Sequence, residues 1–381
     1  MEPVEIRVDE LLLRPWRLDD AAAVHRACQD PILQHWSSRL PAPFPLTEAV
    51  RFVGEAAPAA LADGTALFLA IVADGSGEVL GNTDLRGIDL RARTAELAYW
   101  SAPWARGRRV TERASRALLR WGFEELGLAR VDWRATVGNH ASRLTGLRLG
   151  FTMMGVLPKS ARLRDGSLTD QWVGALLPAD LTAAGAELPE AVRRSAATFG
   201  VDRPILPAGP VTLRPPAERD LAAIVVTYND PEVVRWLGVP QPYTDAHAGS
   251  YVREQVPGGW AHGTEATFVI ADGNDAYAGA VDIRITPTDP AIGEIAVMTA
   301  PHVRSRGYAA ATLSAAARWG FDALGLDRIQ WRVEVGNDAA RRVAEKVGFR
   351  TEGTIRAALP GRQSSSRRDC WICALLPGDM V

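Results

Sequence analysis

Arg304-Ser305-Arg306-Gly307-Tyr308-Ala309 is the stretch of this chain whose residue types best suit holding an anion. It follows a strand-like run, Glu294-Ile295-Ala296-Val297-Met298-Thr299, and a turn at Ala300-Pro301, and it opens a helical run over 309–324. The first amides of a helix have no intrahelical partner, and the helix dipole places partial positive charge at that end. A glycine lets the backbone approach a phosphate closely, and arginines add charge-assisted hydrogen bonds. A pyrophosphate fits such a cradle. Other chemistry-bearing residues are less organised. His140, His247, His262 and His302 lack metal-ligand spacing, and no metal is expected. Cys370-Trp371-Ile372-Cys373 spells CxxC, but it has no second pair and no helix start, so it reads as a buried strand.

The elements that position this loop occur twice. Leu13-Arg14-Pro15 recurs as Leu213-Arg214-Pro215, Asp30-Pro31 as Asp230-Pro231, and Trp36 as Trp236. The register then slips by two residues and holds. Glu96 matches Glu294, Arg120-Trp121-Gly122-Phe123 matches Arg318-Trp319-Gly320-Phe321, and Val137-Gly138-Asn139 matches Val335-Gly336-Asn337. Gly150-Phe151 matches Gly348-Phe349, and both copies end on Ala-Leu-Leu-Pro. A repeat near 200 residues is too long for a solenoid and indicates two domains of one fold. Each copy reads as a first strand, helical segments and then two strands, over 67–73 and 79–86 or 267–271 and 278–285. A fourth strand follows at 95–101 or 293–299, then the loop, the long helix, a strand at 130–137 or 328–335, a helix and closing strands. This order predicts an α/β fold: a mostly antiparallel, mixed, twisted sheet with helices on both faces. Domains are expected over 1–180 and 211–381. Residues 181–210 read as an extended linker with a short helix over 187–199.

Composition bounds the function. The 381 residues carry a formal net charge of −2, so the chain lacks the basic surface that coating a nucleic acid needs. Only Lys159 and Lys346 are lysines. No apolar run approaches a membrane span of roughly 20 residues. Three cysteines and an acidic N-terminus point to a cytoplasmic protein that binds neither membrane nor nucleic acid, acting as a monomer or homodimer.

The loop, its Asn337 and the later Gly348-Phe349 resemble the GNAT superfamily of acyl-CoA-dependent N-acyltransferases, and within it the Rim-type branch named for ribosomal-protein N-terminal acetyltransferases. Arg304-Ser305-Arg306-Gly307-Tyr308-Ala309 satisfies that family's Arg/Gln-x-x-Gly-x-Gly/Ala pattern, and the resemblance covers nearly the whole chain twice. It implies two tandem GNAT folds and acetyl-CoA as co-substrate. Amides from Arg306 to Ala309 would hold the pyrophosphate, with Arg304, Ser305, Gly307 and Tyr308 in the same loop. Ala296, Val297 and Met298 would pair with pantetheine in a gap where the fourth and fifth strands splay. Asn337 would contact the pantetheine arm, and Arg304 or Arg341 the nucleotide phosphates.

Amine acetylation needs a proton acceptor, an oriented amine and an oxyanion donor. Glu294 is the expected general base, directly or through a water, and an amide near Val297 the oxyanion donor. Asp282, Trp236 and Tyr243 are expected to face the acceptor, a small-molecule amine or a protein N-terminus. The tyrosine that the family often uses as general acid is absent, since Ala344 and Gly146 stand at its positions. The Rim-type serine is present only as Ser142, with Ala340 in the second copy. Those departures keep open a noncatalytic acyl-CoA-binding protein, and a longer acyl-CoA is a further alternative. In the first copy Arg109 stands where Gly307 stands and Thr111 where Ala309 stands, so the active half is expected to be the second. Arg362, Arg367 and Arg368 form a basic cluster near Ser364-Ser365-Ser366.

Overall fold

Val281, Ile283, Ile295 and Ile329 are fully buried, while Asp282, Arg284, Glu294 and Arg332 alternate with them along the same strands. Period-two alternation of this kind gives a sheet with one apolar and one charged face. The computed structural model describes residues 1–38, 40–360 and 367–380. It divides into two compact units between Leu188 and Pro189.

In the first unit the strands are β1 (Ile6–Val8), β2 (Leu11–Pro15), β3 (Ala66–Ala73), β4 (Val79–Asp89), β5 (Thr94–Ser101), β6 (Arg130–Thr136), β7 (Thr152–Arg162) and β8 (Leu168–Leu176). Its helices are α1 (Ala21–Cys28), α2 (Pro31–Trp36), α3 (Leu46–Arg51), α4 (Ala57–Ala62), α5 (Val110–Glu124) and α6 (His140–Leu149). The second unit repeats the pattern with β9 (Leu206–Ala208), β10 (Val211–Arg214), β11 (Glu265–Ala271), β12 (Tyr277–Thr286), β13 (Asp289–Thr299), β14 (Arg328–Glu334), β15 (Arg350–Leu359) and β16 (Arg368–Leu375). Its helices are α7 (Glu190–Thr198), α8 (Leu221–Tyr228), α9 (Pro231–Trp236), α10 (Asp245–Ser250), α11 (Val256–His262), α12 (Tyr308–Leu324) and α13 (Asp338–Val347). Strand order is β1-β2-β3-β4-β5-β6-β8-β7 in one unit and, correspondingly, β9-β10-β11-β12-β13-β14-β16-β15 in the other. These are the expected mixed sheets with helices. A π turn joins α3 to α4 at Phe52–Ala56 and α10 to α11 at Tyr251–Gln255.

One neighbouring pair in each sheet is parallel, and its pairing stops early. Thr94 to Leu97 pair with Arg130 to Trp133, and Ile292 to Glu294 pair with Arg328 to Gln330. β13 continues to Thr299 and β14 to Glu334, so the two strands part beyond Glu294. Local chemistry fixes the ends of the helices beside them. Asp30 and Asp230 cap α2 and α9 by accepting from the amides of Leu33 and Val233. Arg14 and Arg214 each form a buried two-pronged pair, with Asp20 and Asp220, at 2.8 and 2.9 Å.

Residues 181–210, expected as a linker, are built into the two units. Arg116 donates to the Thr182 carbonyl at 2.6 Å in the first. In the second, Thr198 donates to the Ala323 carbonyl at 3.1 Å, and β9 pairs antiparallel with β10. The stretch is too apolar to remain in solvent: Phe199 is fully buried, its ring 5.5 Å from that of Trp260. Cys370 and Cys373 are buried free thiols on β16.

Candidate functional site

Gly307 caps α12 in the left-handed region, at φ 81°, and Ser305 precedes it at φ 64°. The turn aims the first amides of a 17-residue helix into a cleft of about 150 Å³. Thr299, Val303, Arg304, Ser305, Gly307, Tyr308, Ala309, Ala310, Val343 and Lys346 line this cleft. Most of the predicted loop is therefore gathered there, while Arg306 is exposed beside it. Lys346 was not foreseen. The signal was available, since it is one of two lysines and lies two residues before Gly348-Phe349. It adds a cation to a helix N-terminus that already favours anions.

Several loop residues also have structural duties. Arg304 forms an ion pair with Asp230, the cap of α9, as Arg106 does with Asp30. Asn337 caps α13, accepting from the Ala340 amide at 3.1 Å. Arg341 donates to Glu345 at 2.9 Å and lies over the Trp371 ring at 4.9 Å.

The parting of β13 and β14 leaves Ala296, Val297 and Met298 paired to β12 on one side and without a partner strand on the other. A strand edge of this kind offers amides and carbonyls to an extended ligand. Glu294 stands at the last paired position, and its carboxylate lies 3.3 Å from Arg332. The first unit carries the same pair, Glu96 with Arg134 at 3.4 Å.

The first unit fills both features from within. Arg109 takes the place of Gly307 and adopts the left-handed backbone at φ 51°. It grips Glu112 at 2.7 and 3.1 Å and Glu187 at 2.6 Å. Glu112, buried in the first turn of α5, also receives Arg116 at 2.9 Å. A carboxylate of the chain itself thus satisfies the positive end of that helix. Across the strand gap, Tyr99 donates to the Ser142 carbonyl at 3.0 Å and accepts from the Trp133 indole at 3.2 Å. Val297 and Ala340 occupy the corresponding positions of the second unit.

On the charged face of the second sheet, Asp282 sits opposite Ala296. Burial pushes its carboxyl up to about 7, with Glu265 and Glu294 adding to the rise and Arg284 opposing it. Tyrosines gather nearby. Tyr228 stacks on Tyr243 at 4.6 Å and lies 6.2 Å from Tyr251. Burial raises the phenol pKa of Tyr228, Tyr251 and Tyr277, and the charge of Asp282 reinforces the rise in the first two. The structure therefore brings Tyr243 to the group that contains Asp282. Trp236 instead donates to Glu232 at 3.3 Å within α9 and lies under Arg235. Tyr228, Tyr251 and Tyr277 were missed, although comparison of the two halves marks them: their counterparts are Cys28, Phe52 and Val79.

Arg368 pairs with Glu334, and Arg367 donates to the Ala358 carbonyl at 2.7 Å. Arg362 and Ser364-Ser365-Ser366 lie outside the described residues. Among the described residues, no helix is long and apolar enough to cross a membrane, and no group of three or more His, Cys, Asp or Glu is placed to hold a metal ion.

A family model described as the acetyltransferase (GNAT) domain matches residues 10–152 and again 211–350. The "Putative ribosomal N-acetyltransferase YdaF" of Bacillus subtilis is 38% identical over 90 residues, 24% of this chain and 46% of that protein. The match thus spans under half of YdaF. The uncharacterised N-acetyltransferase YoaA of the same organism is 27% identical over 158 residues, covering 40% of this chain and 86% of its own. The structure of Mycobacterium smegmatis RimJ in complex with CoA-disulfide aligns at 24% identity and a TM-score of 0.42, over 48% of this chain and 89% of RimJ.

Proposed function

The chain belongs to the GNAT family of acetyltransferases, and we propose that its second unit moves the acetyl group of acetyl-CoA directly onto a primary amine. The observation that carries this reading is the contrast between the two helix starts. The cradle before α12 is open at Gly307, whereas that before α5 is occupied by Arg109 and Glu112. The donor set fits a pyrophosphate: free amides at the head of a long helix, the loop residues Arg304, Ser305, Gly307, Tyr308 and Ala309, and the Lys346 ammonium. Ala296, Val297 and Met298 offer the unpaired strand edge to the pantetheine arm, and an amide near Val297 supports the developing oxyanion. Asn337 and Arg341 border the path through their places on α13. Acetyl-CoA supplies an activated thioester and a thiolate leaving group.

Glu294, the carboxylate at the point where the strands part, takes the acceptor's proton directly or through a water. Its pairing with Arg332, repeated as Glu96 with Arg134, sets a limit on that role, because the pair also braces the sheet. The acceptor is an amine of a small molecule or of a protein, and the name of YdaF makes peptides with a free N-terminus worth testing first.

Titration of the full chain with acetyl-CoA in a calorimeter tests this. One site per chain is expected, lost in Gly307→Arg. Two equivalent sites refute the assignment to one unit, and none refutes the function. Release of the CoA thiol in the presence of amines then separates a transferase from an acyl-CoA-binding protein, the reading favoured by Ala340 and Ala344 where the family carries a serine or tyrosine. Glu294→Gln is expected to lower kcat at least about tenfold with acetyl-CoA binding intact. Unchanged turnover removes Glu294 from the mechanism.

A further inference from the structure

We propose that Asp282 is the group that collects the acceptor's ammonium, and that the tyrosines around it restrict acceptors to compact, cationic primary amines. This rests on the acetyl-transfer reading of the second unit and specifies what that unit accepts.

The argument comes from the same position in the two units. In the first, the equivalent carboxylate is Asp84, fully buried and fully satisfied from within. Asn82 donates to its Oδ1 at 2.5 Å and Arg86 to its Oδ2 at 2.7 Å. Asn82 is itself fixed by the Trp16 indole at 3.1 Å, and Trp16 stacks on Trp100 with ring centroids 6.2 Å apart. In the second unit Ala280 replaces Asn82, Pro216 replaces Trp16 and Met298 replaces Trp100. One donor and two large rings are gone together. What remains is a carboxylate whose Oδ2 is buried and receives no hydrogen bond. Arg284 lies 2.9 Å from that oxygen, an ion pair whose direction does not make a hydrogen bond. Buried carboxylate oxygens are normally satisfied, and leaving one without a donor is costly. The donor missing from the chain is one that an acceptor can bring.

The surroundings select what kind of donor. The charged side chains around Asp282 are Arg284 on its own strand, Glu265 on β11, Glu294 on β13 and Arg332 on β14. Three carboxylates against two guanidiniums favour a cation and disfavour an anionic acceptor. An ammonium offers three donors on a compact head, and aromatic walls add attraction to it. Tyr228 and Tyr251, which feel the Asp282 charge, and Tyr243, stacked on Tyr228, supply those walls, where the first unit has Cys28, Phe52 and Phe44. The Tyr277 hydroxyl is a second buried polar atom without a partner. The Tyr228 and Tyr251 rings lie 6.2 Å apart, which leaves the group closely packed and suited to a narrow head.

Calorimetric titration of the full chain, without acetyl-CoA, with n-butylamine, serinamide and butyrate tests this. Both amines should bind and butyrate should not. Asp282 must be ionised to hold an ammonium, and the n-butylamine ammonium stays charged throughout, so n-butylamine affinity should rise about tenfold between about pH 6 and about pH 8. Asp282→Asn should weaken amine binding at least about tenfold and abolish that pH dependence. Ala280→Asn keeps the carboxylate but restores the internal donor of the first unit, and it should weaken binding comparably. Acetyl-CoA binding should survive in both variants, so that its loss in the wild-type chain speaks only against the transferase reading. The proposal is overturned if the wild-type chain binds neither amine, or if both variants bind them as the wild type does.

Discussion

Gly307 is surrounded by open space, for a Cβ built there meets no atom within 4 Å. The demand for glycine comes from its backbone, at φ 81°, a region that costs an L residue about 1 kcal/mol. Arg109 accepts the same region at φ 51°, and its ion pairs to Glu112 and Glu187 offset the strain. Gly307→Ala has no such partners. It should lower the free energy of unfolding by about 1 kcal/mol, read from the denaturant midpoint, with no clash to relieve. A loss of several kcal/mol would mean that the space around the loop is smaller than it is here. The same residue-by-residue contrast applies to Asp282, whose difference from Asp84 lies in its neighbours and not in itself.

Elements hold these residues through their ends. Asp230 caps α9 and also anchors the loop through Arg304, so one carboxylate ties a helix start to the loop that opens α12. Asp230→Ala should lose a cap worth about 1 kcal/mol and weaken acetyl-CoA binding severalfold, measured by thermal unfolding and calorimetry. Affinity left unchanged would show that the loop holds its shape without that tie. Arg304 and the amide hydrogen bonds hold the Asp230 carboxyl below its ordinary value of 3.8. Its contribution to stability is therefore present above that value and disappears as pH falls through the lowered one. At this scale the strands, the long helices and the loop were legible in the amino-acid sequence, because alternation, glycines and the internal repeat are local signals. The π turn at Tyr251 and the clustering of Tyr228, Tyr243, Tyr251 and Tyr277 were not. They arise from segments up to 49 residues apart that only the folded sheet brings together. Glu294 was read as the general base, but which arginine it meets was not legible, because its partner Arg332 comes from a strand 38 residues later.

At the scale of the whole molecule, one fold appears twice under different internal conditions. Tyr99 bridges the first unit's strand gap, Glu112 occupies its helix start, and Asn82 satisfies its buried acid. Residues 181–210 are shared out between the units, closing the first and giving the second α7 and its edge strand β9. The second unit leaves the Asp282 Oδ2 and Tyr277 hydroxyl unsatisfied, together with an open strand edge. Sites kept ready for a ligand are commonly less stable than the same scaffold with its polar groups matched. Scanning calorimetry should therefore resolve two melting events, the lower belonging to the second unit. Acetyl-CoA at about a hundredfold excess over its Kd should raise that event alone, by about 2.7 kcal/mol of stabilisation. A single melting event, or a shift of both, would contradict this. Under the proposed assignment, the bridge that Tyr99 makes to Ser142 and Trp133 has a meaning beyond a closed gap: the first unit should outlast heat that the second withstands only with acetyl-CoA in place.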